Sequence, residues 1–204
     1  MTDRWLADDR SIERAVKRLR GGAVVAFPTD TLYAVGARAL DPAAVARLYR
    51  VKQRPTSQPL VWLVADQTQA ERIAVVSDQA SALMRRFWPG ALTLVLPSSR
   101  HPDELTIGVR APDHPVAQAL LTQLAEPIAS SSANRAGAPP PVDADEVVEG
   151  LADDLDVVLD GGRCKVGAPS TILDLSGPQP RILRHGAIPQ AELGRLHFSV
   201  GDSG

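Results

Sequence analysis

The sequence is poor in the residues that build disulfide frameworks and metal sites. It has a single cysteine, Cys164, and four histidines in 204 residues. One cysteine excludes an internal disulfide and a multi-cysteine zinc site, and the histidines show no metal-ligand spacing. We therefore expect no metal site in the protein itself. We interpret Cys164 as a structural thiol in a reducing compartment, since no histidine with a supporting Asn or Asp can be assigned to it.

Long apolar runs are also missing from the sequence. No run approaches the roughly 20 apolar residues that a membrane-spanning helix requires. The N-terminus lacks the apolar core of a secretory signal peptide. The expectation is a cytoplasmic protein with no membrane partner.

Two common nucleotide-binding signatures are absent, and so is an excess of positive charge. The sequence contains no G-x-x-x-x-G-K-[ST] loop and no G-x-G-x-x-G after a strand. The net charge is −2 and aromatic residues make up 4%, which argues against nucleic-acid binding over the whole surface and leaves a local basic cleft open. Any nucleotide must therefore be held by side chains and isolated backbone amides.

Apolar periodicity and turn residues predict one α/β domain over residues 10–190, followed by a C-terminal tail over residues 191–204. Hydrophobic residues make up 44% and charged residues 23%, as in ordinary globular proteins. The last predicted strands follow one another without a helix between them, which favours a twisted open sheet of mixed parallel and antiparallel strands with flanking helices. Predicted helices cover residues 11–20, 42–52, 78–88, 115–125, 143–151 and 189–196. Predicted strands cover residues 23–27, 60–64, 92–96, 106–110, 128–130, 157–159, 171–175 and 181–183.

Four short polar segments lie beside predicted strands or at a helix end. In open α/β sheets, ligands bind outside the strand ends, where loops converge. Hydroxyls, an amide and two cations in such places are typical of a pocket for an anionic, hydroxyl-bearing ligand. The segments are Pro28-Thr29-Asp30-Thr31, Lys52-Gln53-Arg54-Pro55, Ser130-Ser131-Ser132-Ala133-Asn134 and Pro169-Ser170-Thr171.

The cations in and near these segments have structural interpretations as well as functional ones. Lys52 offers a point charge and Arg54 a planar fork, and both suit phosphate. We expect the two side chains to project from the same rim of the pocket. Cations at the end of a helix also complement the helix dipole. Arg110 ends a strand and needs an anionic partner, which is either Asp113 or a substrate carboxylate.

The hydroxyl-bearing residues also have both structural and functional interpretations. Thr29 and Thr31 can serve as ordinary turn hydroxyls, and Asn134 as a turn former. The three serines favour a ligand site, because small hydroxyls directly after a strand let a ligand approach the backbone closely. The proline-rich residues 137–141 are predicted to form a stiff loop over that site.

Seven short motifs occur in a fixed order along the chain. They are Phe27-Pro28-Thr29-Asp30-Thr31-Leu32-Tyr33, Leu48-Tyr49-x-x-Lys52-x-Arg54-Pro55-x-x-x-Pro59-Leu60, Trp88-Pro89-Gly90-x-Leu92-Thr93, Val109-Arg110-x-Pro112-x-His114-Pro115, Ser132-Ala133-Asn134, Pro169-Ser170-Thr171-Ile172 and Ile182-Leu183-Arg184-x-Gly186. Together they resemble the YrdC/TsaC family of L-threonylcarbamoyladenylate synthases over roughly residues 12–188. The resemblance implies a YrdC-like sheet with a concave, basic cavity.

The resemblance also implies an activity and its partners. Such an enzyme is a nucleotidyltransferase that joins L-threonine, bicarbonate and ATP into threonylcarbamoyl-AMP and releases pyrophosphate. Mg²⁺ arrives with ATP and not at a dedicated protein site. The product passes to a downstream threonylcarbamoyl transferase machinery that modifies adenosine in tRNA, so contact with tRNA is indirect.

The same resemblance assigns roles to twelve residues of this sequence. The catalytic set is Lys52, Arg54, Ser132 and Asn134. The ATP-binding set is Lys52, Thr56, Thr106, Ser132, Pro140 and Arg184. The threonine-binding set is Thr29, Arg110, Ser130 and Ser170.

The sequence departs from the family pattern at Ala34, Gln53, Ala136 and His185, none of which removes a charged group. Gln53 replaces a usual glycine. The resemblance leads us to expect the short form of the family, without the extra C-terminal domain of longer relatives. Two other functions stay open, which are an RNA-binding module that uses the basic cavity and a carbamoyl-transfer module like that of hydrogenase maturation factors. The second is disfavoured, because those proteins carry cysteine-rich zinc elements.

Overall fold

The computed structural model describes residues 2–99, 105–151 and 154–194, and the backbone of residues 201 and 202. These residues form one sheet with helices packed on both faces. The helices are α1 (Asp9–Arg20), α2 (Pro42–Lys52), α3 (Gln67–Glu71), α4 (Asp78–Phe87), α5 (Pro115–Leu124), α6 (Ala144–Leu151) and α7 (Gln190–Gly194). The strands are β1 (Asp3–Leu6), β2 (Val25–Pro28), β3 (Tyr33–Arg38), β4 (Val61–Leu63), β5 (Leu92–Pro97), β6 (Thr106–Arg110), β7 (Ile128–Ser132), β8 (Val157–Asp160), β9 (Thr171–Asp174), β10 (Arg181–Arg184) and β11 (Gly201–Asp202).

The described strands pair in the order β1-β8-β2-β3-β7-β4-β6-β5-β9-β10-β11. Antiparallel pairing joins β2 to β3, β3 to β7 and β7 to β4 in the middle of the sheet. Parallel pairing joins β4 to β6 and β5 to β9. The predicted single sheet of mixed direction with flanking helices is therefore confirmed.

Both faces of the central strands are buried. Successive residues of a strand point to opposite faces, so Val25 and Phe27 pack with α1 and α5, whereas Val24 and Ala26 pack with α2, α4 and α6. This arrangement explains why residues 23–27 read as a continuous apolar run and not as an alternating one. None of the described helices has the length and apolar character needed to cross a membrane.

The helix that carries the predicted cations begins and ends where the sequence indicates. The Asp41 carboxylate accepts hydrogen bonds from the backbone N–H groups of Ala43 and Ala44 at 3.0 and 3.1 Å, which is the usual N-cap contact. Helix α2 ends at Lys52, and Gln53 adopts a left-handed conformation with φ 50°. Glycine adopts this conformation at least cost, which gives a physical reason for the glycine that the family usually carries there.

Four described elements were not predicted, and the end of one predicted strand is wrong in a way that affects the site. Strands β1, β3 and β11 and the short helix α3 have no counterpart in the sequence prediction. Strand β7 does not end at Ser130, as predicted, but continues through Ser132, and Ser130, Ser131 and Ser132 all pair with β3. Backbone pairing inside a sheet overrides the weak strand preference of serine.

The end of the chain agrees only in part with the predicted helix and tail. Helix α7 covers Gln190–Gly194, so the last two residues of the predicted helix lie outside the described residues. Within the predicted tail, residues 201 and 202 form β11, which pairs parallel to β10. Residues 191–194 of the predicted tail belong to α7, and its other residues lie outside the described ones.

Candidate functional site

A cavity of about 360 Å³ lies where the turn after β2, the strands β4 and β7 and the start of β9 meet. Its volume is within the range of small-molecule sites. Hydroxyl groups and arginines make up its polar wall, and Leu32, Val61 and Leu63 contribute an apolar part. The predicted site residues that line it are Thr29, Arg54, Arg110, Ser130, Ser132, Asn134, Pro140, Ser170 and Arg184.

Arg110 is held in the wall by three separate acceptors. Its Nη2 donates to Asp30 Oδ1 at 2.5 Å, its Nη1 to Thr31 Oγ1 at 2.8 Å, and its Nε to the Gly90 carbonyl at 2.9 Å. A guanidinium carries five N–H donors, so these bonds leave one on each terminal nitrogen. The internal carboxylate partner is Asp30 and not Asp113, whose backbone N–H itself donates to Asp30 at 3.0 Å.

The turn between β2 and β3 brings Asp30 and Thr31 to Arg110. The Thr29 hydroxyl donates to the Leu32 carbonyl at 2.6 Å and lies 3.0 Å from the Thr31 hydroxyl. Both threonines and Asp30 are buried. The turn hydroxyls therefore have the structural role that the sequence allowed, and they line the cavity as well.

A second arginine crosses the cavity wall from β10. Arg184 donates to the Ser170 carbonyl from Nη2 at 2.9 Å and from Nε at 3.1 Å, and to the Ser170 hydroxyl at 3.0 Å. The Ser170 hydroxyl also lies 2.8 Å from that of Thr93. This cluster joins β5, β9 and β10 beside the cavity.

Positive charge in the wall exceeds negative charge. Burial lowers the pKa of Arg184, and the charges of Arg110 and Arg54 lower it further. Burial also lowers the pKa of Arg110, whereas Asp30 acts in the opposite direction. Arginine remains protonated at neutral pH despite such effects. Because the described residues that line the cavity include no carboxylate, the site favours an anionic ligand.

Lys52 and Arg54 do not point off one rim, which corrects the sequence prediction. Arg54 lines the cavity and donates to the carbonyls of Gln58 and Pro59 at 3.2 and 3.1 Å. Lys52 is 2% exposed and does not line the cavity. Its Nζ donates to the carbonyls of Ser132 and Asn134. Because Gln53, between the two cations, has a left-handed backbone, the side chains of Lys52 and Arg54 point in different directions.

The pKa of Lys52 is lower than that of an ordinary lysine. Burial lowers the pKa of its ammonium to about 8, and the positive charge of Arg54 contributes. The charged form is nevertheless suited to this place, because an ammonium is a donor only and its neighbours are acceptors.

Thr56 and Thr106 lie outside the cavity wall. Thr56 is exposed in the turn that follows α2, and Thr106 is exposed at the start of β6, four residues before Arg110. Their assignment to the nucleotide stays a prediction. Cys164 is buried, and burial raises its pKa to about 11, in agreement with the structural interpretation.

Sequence reasoning gave no site role to Thr93, Thr31 or Asp30. Thr93 belongs to one of the quoted motifs, and Thr31 and Asp30 to another, so a signal was present. What the sequence could not supply is the contact between Asp30 and Arg110, which are 80 residues apart. Among the described residues, no group of three or more His, Cys, Asp or Glu could hold a metal ion.

Gly186 sets the distance between the cavity wall and the chain after β10. A Cβ at this position would lie 2.4 Å from the Pro169 carbonyl oxygen and from the Ser170 carbonyl carbon. Both atoms belong to the backbone, so they can move aside only at a cost in folding free energy. We expect Gly186→Ala to destabilise the protein by about 1–3 kcal/mol and to displace Ser170 and Arg184.

Urea unfolding followed by circular dichroism measures this effect. Gly177→Ala is the matched control, because a Cβ on Gly177 meets no atom within 4 Å. Equal unfolding midpoints for the two variants would contradict this prediction, because they would show that the chain accommodates a Cβ at position 186 without loss of stability.

The chain is similar to known proteins over most of its length. A family model for Sua5, YciO and YrdC proteins, described as "Telomere recombination", matches residues 17–186. A threonylcarbamoyl-AMP synthase from Bacillus subtilis is 39% identical over 98% of this chain and 62% of its own length. The structure of Sua5 from Pyrococcus abyssi complexed with L-threonine superposes with a TM-score of 0.93 at 37% identity, over 100% of this chain and 62% of that one. The structure of YciO from Escherichia coli superposes with a TM-score of 0.84 at 31% identity, over 91% of this chain and 96% of that one. The chain thus spans about three fifths of the length of the Bacillus and Pyrococcus proteins.

Proposed function

This chain belongs to the Sua5/YciO/YrdC family, and on that premise we propose that it condenses L-threonine, bicarbonate and ATP into threonylcarbamoyl-AMP and pyrophosphate. The observation that carries the proposal is the cavity wall, in which three arginines and several hydroxyls face one small space, with no carboxylate among its lining residues in the part of the chain that the structure describes. Such a wall suits a ligand with phosphates and a carboxylate. The threonine complex of the Pyrococcus relative supports the amino-acid part of the proposal.

The reaction explains why the wall needs this excess of positive charge. The threonine amine first combines with bicarbonate to give a carbamate and water. A carbamate oxygen then attacks the α-phosphorus of ATP, and pyrophosphate leaves with the electron pair of the broken P–O bond. Two anions must meet, so the site has to neutralise charge and hold the reactants in line.

We assign the two reactants to different parts of the wall. Arg110 binds the threonine carboxylate with the two N–H donors that its internal bonds leave, and Thr29, Ser130 and Ser170 surround the rest of the amino acid. The apolar residues Val61 and Leu63 offer a surface for the threonine methyl group.

The nucleotide takes the remaining part of the wall. Arg54 and Arg184 bind phosphate oxygens, and Pro140 packs against the nucleoside. Ser132 contacts the nucleotide as an acceptor, because its hydroxyl hydrogen is donated to Asn134 Oδ1. The pyrophosphate that forms stays beside Arg54 until release. The product then passes to a transferase that modifies tRNA, so tRNA is an indirect partner.

Magnesium enters this scheme with ATP. Within residues 2–99, 105–151 and 154–194, the wall offers hydroxyls and guanidiniums and no carboxylate, a donor set that is poor for a resident Mg²⁺ but compatible with MgATP. Magnesium supplies charge neutralisation between phosphate oxygens in such reactions. We expect EDTA in excess over Mg²⁺ to abolish pyrophosphate release, and added Mg²⁺ to restore it. Full turnover in EDTA would reject the requirement for MgATP.

An RNA-binding module is the second candidate. The cavity of about 360 Å³ holds a small molecule but no duplex, and recognition of double-stranded RNA relies on contacts along an extended surface. Binding through phosphates weakens steeply with salt. A filter-binding titration of tRNA at low and at high salt distinguishes the RNA-binding module from the synthase. If the protein is a synthase, we expect only weak tRNA binding even at low salt.

Pyrophosphate release tests the proposed activity. A coupled phosphate assay should show release only when ATP, threonine and bicarbonate are all present. Release from ATP alone, at the same rate, would indicate an unrelated nucleotidase and not the proposed condensation.

A further inference from the structure

Gly108 lies in the middle of β6, where a glycine weakens the strand. Glycine inside a strand often marks a bulge, a bend, or a place where a ligand or another backbone approaches closely. Strand β6 pairs in unbroken register with β4 on one side and β5 on the other, so neither a bulge nor a bend explains this glycine. A left-handed backbone does not explain it either, because the described glycines with positive φ are Gly22, Gly137, Gly162 and Gly167.

Packing within the described protein does not require a glycine at this position. A Cβ on Gly108 would have two described neighbours within 4 Å, which are Thr93 Cγ2 and Val61 Cγ2, each at 3.8 Å. Both belong to side chains, and the distance is ordinary van der Waals contact. Gly36 of β3 is different, because a Cβ there would lie 2.4 Å from Ile128 Cγ2. Packing therefore accounts for Gly36 and leaves the close approach of a ligand as the reason for Gly108.

A side chain on Gly108 would point into the cavity. Successive residues of β6 alternate between the two faces of the sheet, and Ile107 and Val109 belong to the hydrophobic core on one face. Gly108 is half-buried on the other face. Thr93 and Val61, the two neighbours that a Cβ would have, both line the cavity. Gly108 is therefore a gap in the cavity floor between these two side chains.

Gly108 belongs to a row of paired residues that crosses the sheet. Val61 of β4 pairs with Gly108 on one side and with Ser130 of β7 on the other. Val95 of β5 pairs with Gly108 from its other side. Directly paired residues point to the same face of a sheet, so the row lies on the face of the cavity. Gly108 is the one of these four residues without a side chain.

The residues assigned to the two substrates lie on opposite sides of this row. Strand β7 runs antiparallel to β4, and β6 runs parallel to it, so Ser132 and Thr106 lie beyond the row in the same direction. Arg110 lies beyond the row in the other direction. A strand rises about 3.3 Å per residue, so the Cα atoms of Arg110 and Gly108 are roughly 7 Å apart. The space above Gly108 is thus where the amino acid and the nucleotide meet.

We infer that Gly108 sets the depth of the site, because its bare backbone forms the floor on which the threonine carbamate and the α-phosphate of ATP come together. The inference rests on the proposed function, which supplies these two reactants. In-line attack requires the carbamate oxygen and the phosphorus to be about 3–3.5 Å apart. A side chain on Gly108 would occupy the space that this approach uses. The contacts of each substrate alone, at Arg110 or at Ser132, would stay available.

Gly108→Val tests the inference through the pyrophosphate assay. Valine is favoured in strands, and its Cβ would be at ordinary contact distance from its neighbours. We expect kcat to fall about 100-fold, since a misplacement of about 1 Å costs on this scale. Gly177→Val is the control, because a Cβ on Gly177 meets no described atom within 4 Å. The control should keep the wild-type kcat, and a wild-type kcat in Gly108→Val would overturn the inference.

A smaller substitution keeps the test valid if valine disturbs folding. Gly108→Ala adds a single methyl group at ordinary contact distance, and alanine restricts the unfolded chain more than glycine does. Its melting temperature should therefore equal or exceed that of wild type, and its kcat should lie between those of wild type and Gly108→Val. If both variants unfold, packing requires the glycine and the inference is rejected.

Calorimetric titration distinguishes failure of this inference from failure of the proposed activity. The ligands are threonine and the magnesium complex of α,β-methylene-ATP, whose bridging carbon prevents the release of pyrophosphate. Each ligand alone should bind Gly108→Val as it binds wild type. With the analogue saturating, threonine should bind the variant about tenfold more weakly than wild type, because the two ligands then compete for the space above residue 108.

Two results of the titration would overturn the inference. One is weaker binding of the analogue alone, which would show that the side chain obstructs the nucleotide and not the meeting of the two substrates. The other is equal binding of threonine by variant and wild type in the presence of the analogue. A wild type that releases no pyrophosphate but shows the expected binding pattern would refute the proposed activity and support the floor at Gly108.

Discussion

Arg110→Lys is expected to raise the KM for threonine roughly tenfold to a hundredfold and to leave the KM for ATP nearly unchanged. A bidentate guanidinium–carboxylate pair cannot be reproduced by a lysine, whose charge is a single point. Loss of one charged hydrogen bond costs on the order of 1.5–3 kcal/mol, which gives this range. Steady-state pyrophosphate release with each substrate varied in turn measures both constants.

The internal contacts of Arg110 add an effect on stability. Lysine would leave at least one of the Thr31 hydroxyl and the Gly90 carbonyl without its present donor, so the melting temperature should fall. Arg181→Lys on the exposed side of β10 is the matched control and should change neither constant. A shift in the KM for ATP instead of threonine would show that the two halves of the site are assigned the wrong way round.

Arg54→Met is expected to reduce kcat/KM for ATP by about 10²–10³ while the protein stays folded. A donor aimed at developing charge in a water-poor site contributes on this scale. The contacts of Arg54 to the carbonyls of Gln58 and Pro59 are in a turn, so their loss should have little effect on the melting temperature. The measurement is the pyrophosphate assay at fixed, saturating threonine.

Arg50→Met is the control, because it removes an exposed cation from α2 without touching the cavity. It should keep the wild-type kcat/KM within about twofold, since isolated surface charges contribute little. If Arg54→Met keeps the wild-type value, the helix-dipole interpretation of this cation is the better one.

The sequence predicted most elements that have strong local signals. Asp41 and Pro42 mark the start of α2, and the strand at Thr106–Arg110 was predicted with its exact bounds. Strand β3 was missed, because Ala34, Gly36 and Ala37 give it little apolar pattern and its place depends on pairing with β2 and β7. The pairing with β7 joins residues 90 to 98 positions apart, which no local pattern records.

The candidate site depends on both local and long-range features of the chain. Nine of the twelve residues to which the motif resemblance assigns a role line the cavity, since each motif lies in one turn or strand end. It could not show that Lys52 and Arg54 diverge, because that depends on the left-handed backbone at Gln53. It also could not identify Asp30 as the partner of Arg110, because the contact exists only after β2 and β6 are placed in one sheet.

The most direct test of the proposed activity is the identity of the product made from labelled bicarbonate. The protein is incubated with MgATP, threonine and ¹³C-bicarbonate, and the adenylate is analysed by mass spectrometry. The account predicts an adenylate that contains threonine and one ¹³C atom, formed in equal amount with pyrophosphate. An adenylate of threonine without the label, or pyrophosphate release without any threonine-containing adenylate, would contradict it.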